Sequence, residues 1–343
     1  MNISDYEASA GNWREQLRRN ERRTRAVIFT FLLLFIVVGF IVDMFVLQSM
    51  YRGTTLSQCF YALVTFKKFP LATVIMGTIA GISLFITFAL YDKVMLLGTD
   101  SREITPETAS SLEEKQLYNV VEEMKVAAGL QYMPKVFIIE ADYMNAFASG
   151  YSEKSAMVAI TRGLMQKLNR EEMQAVMAHE LSHVRHHDIK LTLTVAVLSN
   201  ILLIAIDMVF YSLIFGRDAD DKREDNRLLV IVMILRYVLP LITLFLALFL
   251  SRTREYMADA GCVELMRNND PMARALLKIS QDHIEHADHY AQEYSQTPHE
   301  QIRHASYLFD PSDINPVKSL TSAFSTHPSI EDRLNAIGYT RKK

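Results

Sequence analysis

Four stretches of this chain carry no charged side chain: the 17 residues between Arg25 and Asp43, the 23 between Lys68 and Asp92, the 16 between Lys190 and Asp207, and the 15 between Arg236 and Arg252. A helix needs about 20 mostly apolar residues to cross a bilayer, and each stretch extends outward to that length. The pattern predicts spans at 26–47, 69–91, 191–215 and 227–250. In the first two the helix is apolar on every face, which a soluble domain rarely buries for six turns. Asp207 interrupts the third, and Arg236 and Pro240 the fourth, so a buried or interfacial hairpin is the alternative there.

Between and after these stretches the period changes. Leu117, Val120, Val121, Met124 and Ala128 recur at helical spacing within 106–129, and most of the carboxylates there lie off that stripe. Lys135–Ile139 and Ala156–Ile160 read as buried strands, and Asn145–Ala148 as a short extended piece ended by Ser149-Gly150. Asn169 with Glu172 three residues later is a helix-start signature. The helix that follows places Met173, Val176, Met177, Leu181 and Val184 on its core side. The segment 290–326, with Pro298, Pro311 and Pro316, reads as loops with short helices. The expected fold is mainly α with a small β-sheet, built onto four membrane helices.

Composition agrees, since half of the 343 residues are apolar and mean hydropathy is +0.08. Six arginines, Arg14, Arg18, Arg19, Arg22, Arg23 and Arg25, precede the first span, against three basic residues in each presumed outer loop, 48–68 and 216–226. The excess predicts an N-terminal arm, 1–25, on the cytoplasmic side. Four crossings then return 92–190 and 251–343, and both chain ends, to that side of a bacterial-type plasma membrane. The first apolar run is too long for a cleaved signal and is expected to stay as an anchor. A net charge of −3 argues against a nucleic-acid partner, while the arginine-rich arm suits the anionic headgroups of a lipid bilayer. The topology puts Cys59 and Cys262 on opposite sides, which excludes a disulfide between them.

The chemistry concentrates in HELSH, residues 179–183. Histidines at i and i+4 stand one above the other on a helix and can grip one zinc, with Glu180 between them to take a proton from water. Two solvated helix histidines are the bland alternative. A catalytic zinc takes three protein ligands. His187 lies eight residues from His179, about 12 Å along a helix, too far to share an ion with it. In SRTREYMAD, residues 251–259, Glu255 and Asp259 share one face if the stretch is helical. The first could ligate and the second orient an imidazole, or both could be solvated carboxylates at a helix exit.

HELSH followed by an apolar hairpin and then SRTREYMAD resembles the HtpX heat-shock membrane metalloproteases, relatives of the CAAX prenyl endoproteases. The resemblance extends to the first pair of spans, to NAFASG at 145–150 and to STHPSIEDR at 325–333, and so covers nearly the whole chain. It implies a zincin-like metalloprotease, with one zinc per subunit on His179, His183 and Glu255, Glu180 as the catalytic carboxylate and Asp259 supporting an imidazole. It also suggests His327 as an oxyanion donor with Arg333 nearby, or else a loop histidine and a surface arginine. Asn145, Ala146, Phe147 and Ala148 would offer an exposed strand edge to an extended peptide, or form an ordinary edge strand. The implied substrates are proteins, membrane proteins among them, cleaved in quality control and stress response. Prenyl-protein processing is the rival within the same class.

Three further expectations follow from spacing. If both ligand helices run unbroken from their spans, the zinc lies about 10 Å from the membrane surface. Asp207 and Arg236 sit at similar depth and are expected to pair, turned inward. His283, His286 and His289 are spaced by three and read as a solvated face rather than a second metal site. A metal transporter would want ligands inside spans, and none of the ten histidines lies in one. An idle scaffold would have no use for the ligand set.

Overall fold

The computed structural model describes residues 6–8, 13–51, 53–150, 152–215, 226–298, 303, 306–309 and 327–341. Residues 216–225 of the expected loop 216–226, much of 290–326 including Pro311 and Pro316, and Ser325-Thr326 of the terminal motif lie outside the described residues. In chain order the elements are β1 (Tyr6–Ala8), α1 (Trp13–Met50), α2 (Leu56–Val64), α3 (Leu71–Met95), β2 (Ser101–Ile104), α4 (Leu112–Ala128), β3 (Lys135–Ile139), β4 (Ala146–Ser149) and β5 (Met157–Thr161). There follow α5 (Arg162–Lys167), α6 (Arg170–Arg185), α7 (Asp188–Phe215), α8 (Asn226–Met266), α9 (Asp270–Glu285), α10 (Ala287–Gln296), α11 (Ile330–Ala336) and β6 (Tyr339–Arg341). The expected fold class, mainly helical with one small sheet, is the one observed. The chain forms two compact units, one of residues 25–87 and 192–247, the other of 1–24, 88–191 and 248–343.

The first unit holds most of the apolar helix. Four described segments, Arg18–Met50, Leu71–Leu90, Asp188–Phe215 and Leu229–Met266, are long and apolar enough to cross a membrane. Val38, Met76, Leu202, Ile206, Val232 and Leu239 pack inside, whereas Phe29, Phe85, Ile204 and Met208 stand exposed, the arrangement a hydrocarbon solvent favours. Asp43 is buried in α1 and accepts from the N–H groups of Ala72 (2.7 Å) and Thr73 (3.0 Å) and from the Thr73 hydroxyl (2.6 Å). It thereby satisfies donors that the first turn of α3 would otherwise leave open. The presumed outer loop 48–68 contains α2, started by a capping box between Thr55 and Gln58.

Asp207 and Arg236 pair, with Nε 2.8 Å from Oδ1. The pair is not turned inward as expected: the Asp207 side chain is 47% exposed. Its partner is held instead by chemistry on α7, where the guanidinium donates to the Tyr211 hydroxyl (3.0 Å) and lies over the rings of Phe210 (4.0 Å) and Tyr211 (4.9 Å).

In the second unit the sheet order is β2-β3-β5-β4, with β3 and β5 parallel and the outer pairs antiparallel. One face packs on α4 and α6 through Val120, Val136, Ile138, Val158, Val176 and Leu181. Helix α4 starts later than the expected 106, because the Ser111 hydroxyl accepts from the N–H of Glu114 and fixes the N-cap there. Asn169 and Glu172 form the expected capping box on α6. Strand β1 pairs with β6, Tyr6 opposite Arg341, so the two ends of the chain meet.

Of the histidine trio, His286 and His289 are exposed as expected, but His283 is not. His283 is fully buried among Tyr290, Tyr294 and Phe309, its Nδ1 donating to the Ile279 carbonyl (2.9 Å) and Nε2 lying 3.3 Å from the Tyr294 hydroxyl. The helix turns that residue inward because Leu276, Ile279 and His283 share one stripe, while His289 stays exposed.

Two predictions follow from these contacts. Burial lowers the His283 imidazole from 6.5 to about 4, against the opposing pull of Ile279 and Asp282. The unfolded chain therefore binds a proton that the folded chain refuses between those values, and stability falls as pH drops from 6.5 toward 4. The loss reaches about 3 kcal/mol at about 1.36 kcal/mol per pH unit. Thermal unfolding in detergent is expected to show that slope, and His283→Gln to flatten it. For the ion pair, Asp207→Asn or Arg236→Gln leaves one charge at bilayer depth, at about 2.5–3.5 kcal/mol on insertion scales. The exchange Asp207→Arg with Arg236→Asp is expected to regain part of the lost stability, and equal damage in all three counts against the pair.

Candidate metal centre

Helix α6 carries His179, Glu180 and His183, and α8 carries Glu255 and Asp259. The helices approach closely because position 261 is glycine. A Cβ there would lie 2.5 Å from the Ser182 hydroxyl, which itself bonds back to the Ala178 carbonyl (2.8 Å). One residue on, the Cys262 thiol lies 3.2 Å from the Ala175 carbonyl. This contact brings one carboxylate against two imidazoles. His179 Nε2 is 3.2 Å from His183 Nε2 and 3.6 Å from Glu255 Oε2, and His183 Nε2 is 3.5 Å from Glu255 Oε1. Ligands at about 2.0–2.1 Å on a tetrahedral zinc stand about 3.3 Å apart, so the three fit one ion. They form the one cluster of this kind among the described residues.

The surroundings favour a cation. Burial pulls the His179 imidazole down, but Asp259 and Glu255 outweigh it and hold it up at about 9. A metal would supply that positive charge with the imidazole neutral. Glu180 lies the other way: burial raises its carboxyl above the usual range, Glu255 adds to this, and His179 and His183 oppose it. The N–H of Ala148 on β4 also donates to that carboxylate, tying the strand to the centre.

Asp259 lies beside His179. Its Oδ1 lies 3.0 Å from His179 Nδ1, and Arg333 of α11 grips both of its oxygens at 2.9 and 2.7 Å. Despite burial, these contacts raise the Arg333 guanidinium, whose Nη1 is also 3.6 Å from Glu255. His327 is buried, with Nδ1 3.5 Å from Glu255 Oε2. Neither residue is a surface group.

Two expectations need correction. The edge strand is in place, but Asn145, Ala146, Phe147 and Ala148 are buried rather than exposed. Leu308 donates its N–H to the Ala146 carbonyl (2.9 Å), and the Asn145 side chain bonds both main-chain groups of Phe309 (3.2 and 2.9 Å). Arg333 in turn donates to the Leu308 carbonyl (2.7 Å). A segment distant in sequence thus covers the start of the edge. Second, the ligand helices do not both run unbroken from their spans. Helix α8 does, whereas α6 ends at Arg185 and α7 begins at Asp188, with His187 at φ +54° between them.

That break brings in residues the spacing argument misses. In a continuous helix, residues five apart point about 140° away from each other. Here the left-handed turn folds Asp188 back, so that its Oδ2 lies 2.7 Å from His183 Nδ1. Arg254 donates to the Asp188 carbonyl and lies 3.3 Å from its carboxylate. The one signal in the sequence was a carboxylate at the foot of an apolar run, five residues past His183.

The sequence matches peptidase family M48 over residues 111–341. The chain belongs to peptidase family M48. It is similar to the protease HtpX homolog of Helicobacter acinonychis, 37% identical over 326 residues that span 95% of this chain and 98% of the relative. The protease HtpX homolog of Streptococcus uberis is 34% identical, over 94% and 98%. Among solved structures, S. mikatae Ste24p matches with a TM-score of 0.49 and 20% identity, over 81% of this chain and 61% of that one. The HtpX-type resemblance is thus borne out, and this M48 peptidase is a metallopeptidase. With its four candidate membrane helices it is a multi-pass membrane-associated protease.

The helix contact yields a test. Gly261→Ala is expected to push α8 off α6, and an ångström at such a centre costs on the order of 10²-fold in rate. Adding Ser182→Gly, which removes the clashing atoms, is expected to recover much of the peptide cleavage measured in detergent.

Proposed function

We propose that this M48 peptidase is a zinc endopeptidase whose ion, one per chain, is held by His179, His183 and Glu255. The observation that carries this reading is the near-tetrahedral spacing of those three groups, at 3.2, 3.6 and 3.5 Å. A bound zinc supplies a Lewis acid that polarises a peptide carbonyl and makes water a stronger acid. The remaining steps belong to the chain. Glu180 accepts the proton of the attacking water and passes it to the departing nitrogen, a role suited to a buried carboxyl that burial holds above the usual carboxylate range. His327 faces the centre as a donor for the developing oxyanion. Asp259 and Arg333 hold the His179 ring at its angle. The β4 edge around Ala148, next to Glu180, is where we place the extended peptide, with Asn145–Phe147 keeping its covered end in position.

The substrates we propose are membrane proteins with damaged or misassembled segments on the cytoplasmic side of the plasma membrane, cleaved in quality control and stress response. The arginine excess before the first span supports a cytoplasmic arm. Pairing of β1 with β6 supports both ends lying on one side, as an even number of crossings requires. In that arrangement 92–190 and 251–343 are cytoplasmic, and 48–68 and 216–226 face outward. The bilayer is a partner through the four spans, and no nucleic acid takes part.

Glu180→Gln decides the matter. The purified variant is expected to keep one zinc per chain by elemental analysis, while cleavage of an unfolded membrane-protein substrate drops by about 10³-fold or more. Undiminished cleavage, or a wild-type chain that takes up no zinc, removes the proposal.

A further inference from the structure

His179 and His183 are served in parallel ways. His179 Nδ1 meets Asp259, and Asp259 is gripped by Arg333. His183 Nδ1 meets Asp188, and Asp188 is held by Arg254 through its carboxylate and its main-chain carbonyl. Asp188 is 2% exposed and Arg254 6%. A buried carboxylate and guanidinium cost several kcal/mol each to desolvate, about as much as a close pair returns, so such a pair is a poor device for stability alone. Its placement is more telling: Arg254 adjoins Glu255 in α8, and Asp188 opens α7 just past the turn that ends α6. The chain His183, Asp188, Arg254, Glu255 therefore closes a loop between two of the ligands of the proposed centre.

We propose that Asp188 and Arg254 are positioning residues for the second metal imidazole. Asp188 accepts a hydrogen bond from the Nδ1–H of His183, which leaves Nε2 as the lone-pair nitrogen facing His179 and Glu255. Arg254 fixes Asp188 at the angle that aims the ring. The left-handed His187 turn exists in this chain to put that carboxylate behind the ring, where an unbroken helix would carry it away. This inference rests on the zinc reading of the centre.

The test is a double-mutant cycle on the full chain in detergent, read by zinc affinity and by the visible spectrum of the Co²⁺-substituted protein. Asp188→Asn and Arg254→Gln are each expected to weaken zinc binding by about 10–100-fold and to change the Co²⁺ bands, with Arg254→Lys recovering part of both. In the double variant Arg254→Gln is expected to add little to Asp188→Asn, because the arginine acts through the aspartate. The double variant also carries no unpaired buried charge, so it reports even where a single variant fails to fold. Additive losses, or wild-type affinity and spectra in variants with altered thermal stability, overturn the inference and leave the zinc reading standing. A wild-type chain that binds no zinc overturns both.

Discussion

Burial of charge without enough counter-charge governs this structure. Within the centre Asp188, Glu180, Glu255 and Asp259 are buried carboxylates, and Arg254 and Arg333 are the buried guanidiniums. With the imidazoles neutral and the carboxylates ionised, that set is short of two positive charges, the charge of one zinc ion. Unpaired charges in a protein interior cost several kcal/mol each, and the cluster answers by raising the proton affinity of both His179 and Glu180. A dication between the imidazoles removes the need for both. Metal binding and folding then share one free energy.

That demand explains the architecture around the site. The groups that neutralise or orient come from α6, α7, α8 and α11, and the close passage at Gly261 and Ser182 lets them converge. The sheet adds a main-chain N–H from Ala148. The large apolar cluster of α4, α6, α9 and the sheet holds α6 rigid beneath the centre, with Met173, Val176, Met177 and Leu181 buried on the side expected from their spacing.

What was legible in the sequence is what depends on local pattern. Apolar runs without charge gave four helices long enough for spans, Asn169 with Glu172 gave the start of α6, and the i, i+4 spacing put His179 beside His183 and Glu255 on one face with Asp259. Periodicity is blind to a single residue that leaves the helical basin, and His187 is such a residue, so the break before α7 and the role of Asp188 were hidden. The covering of β4 by Leu308 was hidden for another reason. It joins residues more than 160 apart, and the alternation of a short strand says nothing about what lies along its edge. His283 was misplaced because three histidines at even spacing reveal exposure only once the neighbouring aromatic residues are known to close over one of them.

The two edge contacts of β4 bear on how a peptide could reach Glu180. Antiparallel pairing with β5 uses the main-chain groups of alternate residues, with Asn145 facing β5 through its bond to Thr161 and Ala146 and Ala148 facing outward. Leu308 occupies the Ala146 carbonyl, and Glu180 takes the Ala148 N–H. A peptide added to this edge would therefore compete with the Glu180 carboxylate for that donor. Withdrawing an N–H from a carboxylate removes a contact that favours its ionised form and so raises its affinity for a proton. In the proposed mechanism, the same step that seats an extended chain beside the centre would then leave Glu180 the stronger base, joining the binding of a main chain to the proton transfer its hydrolysis needs.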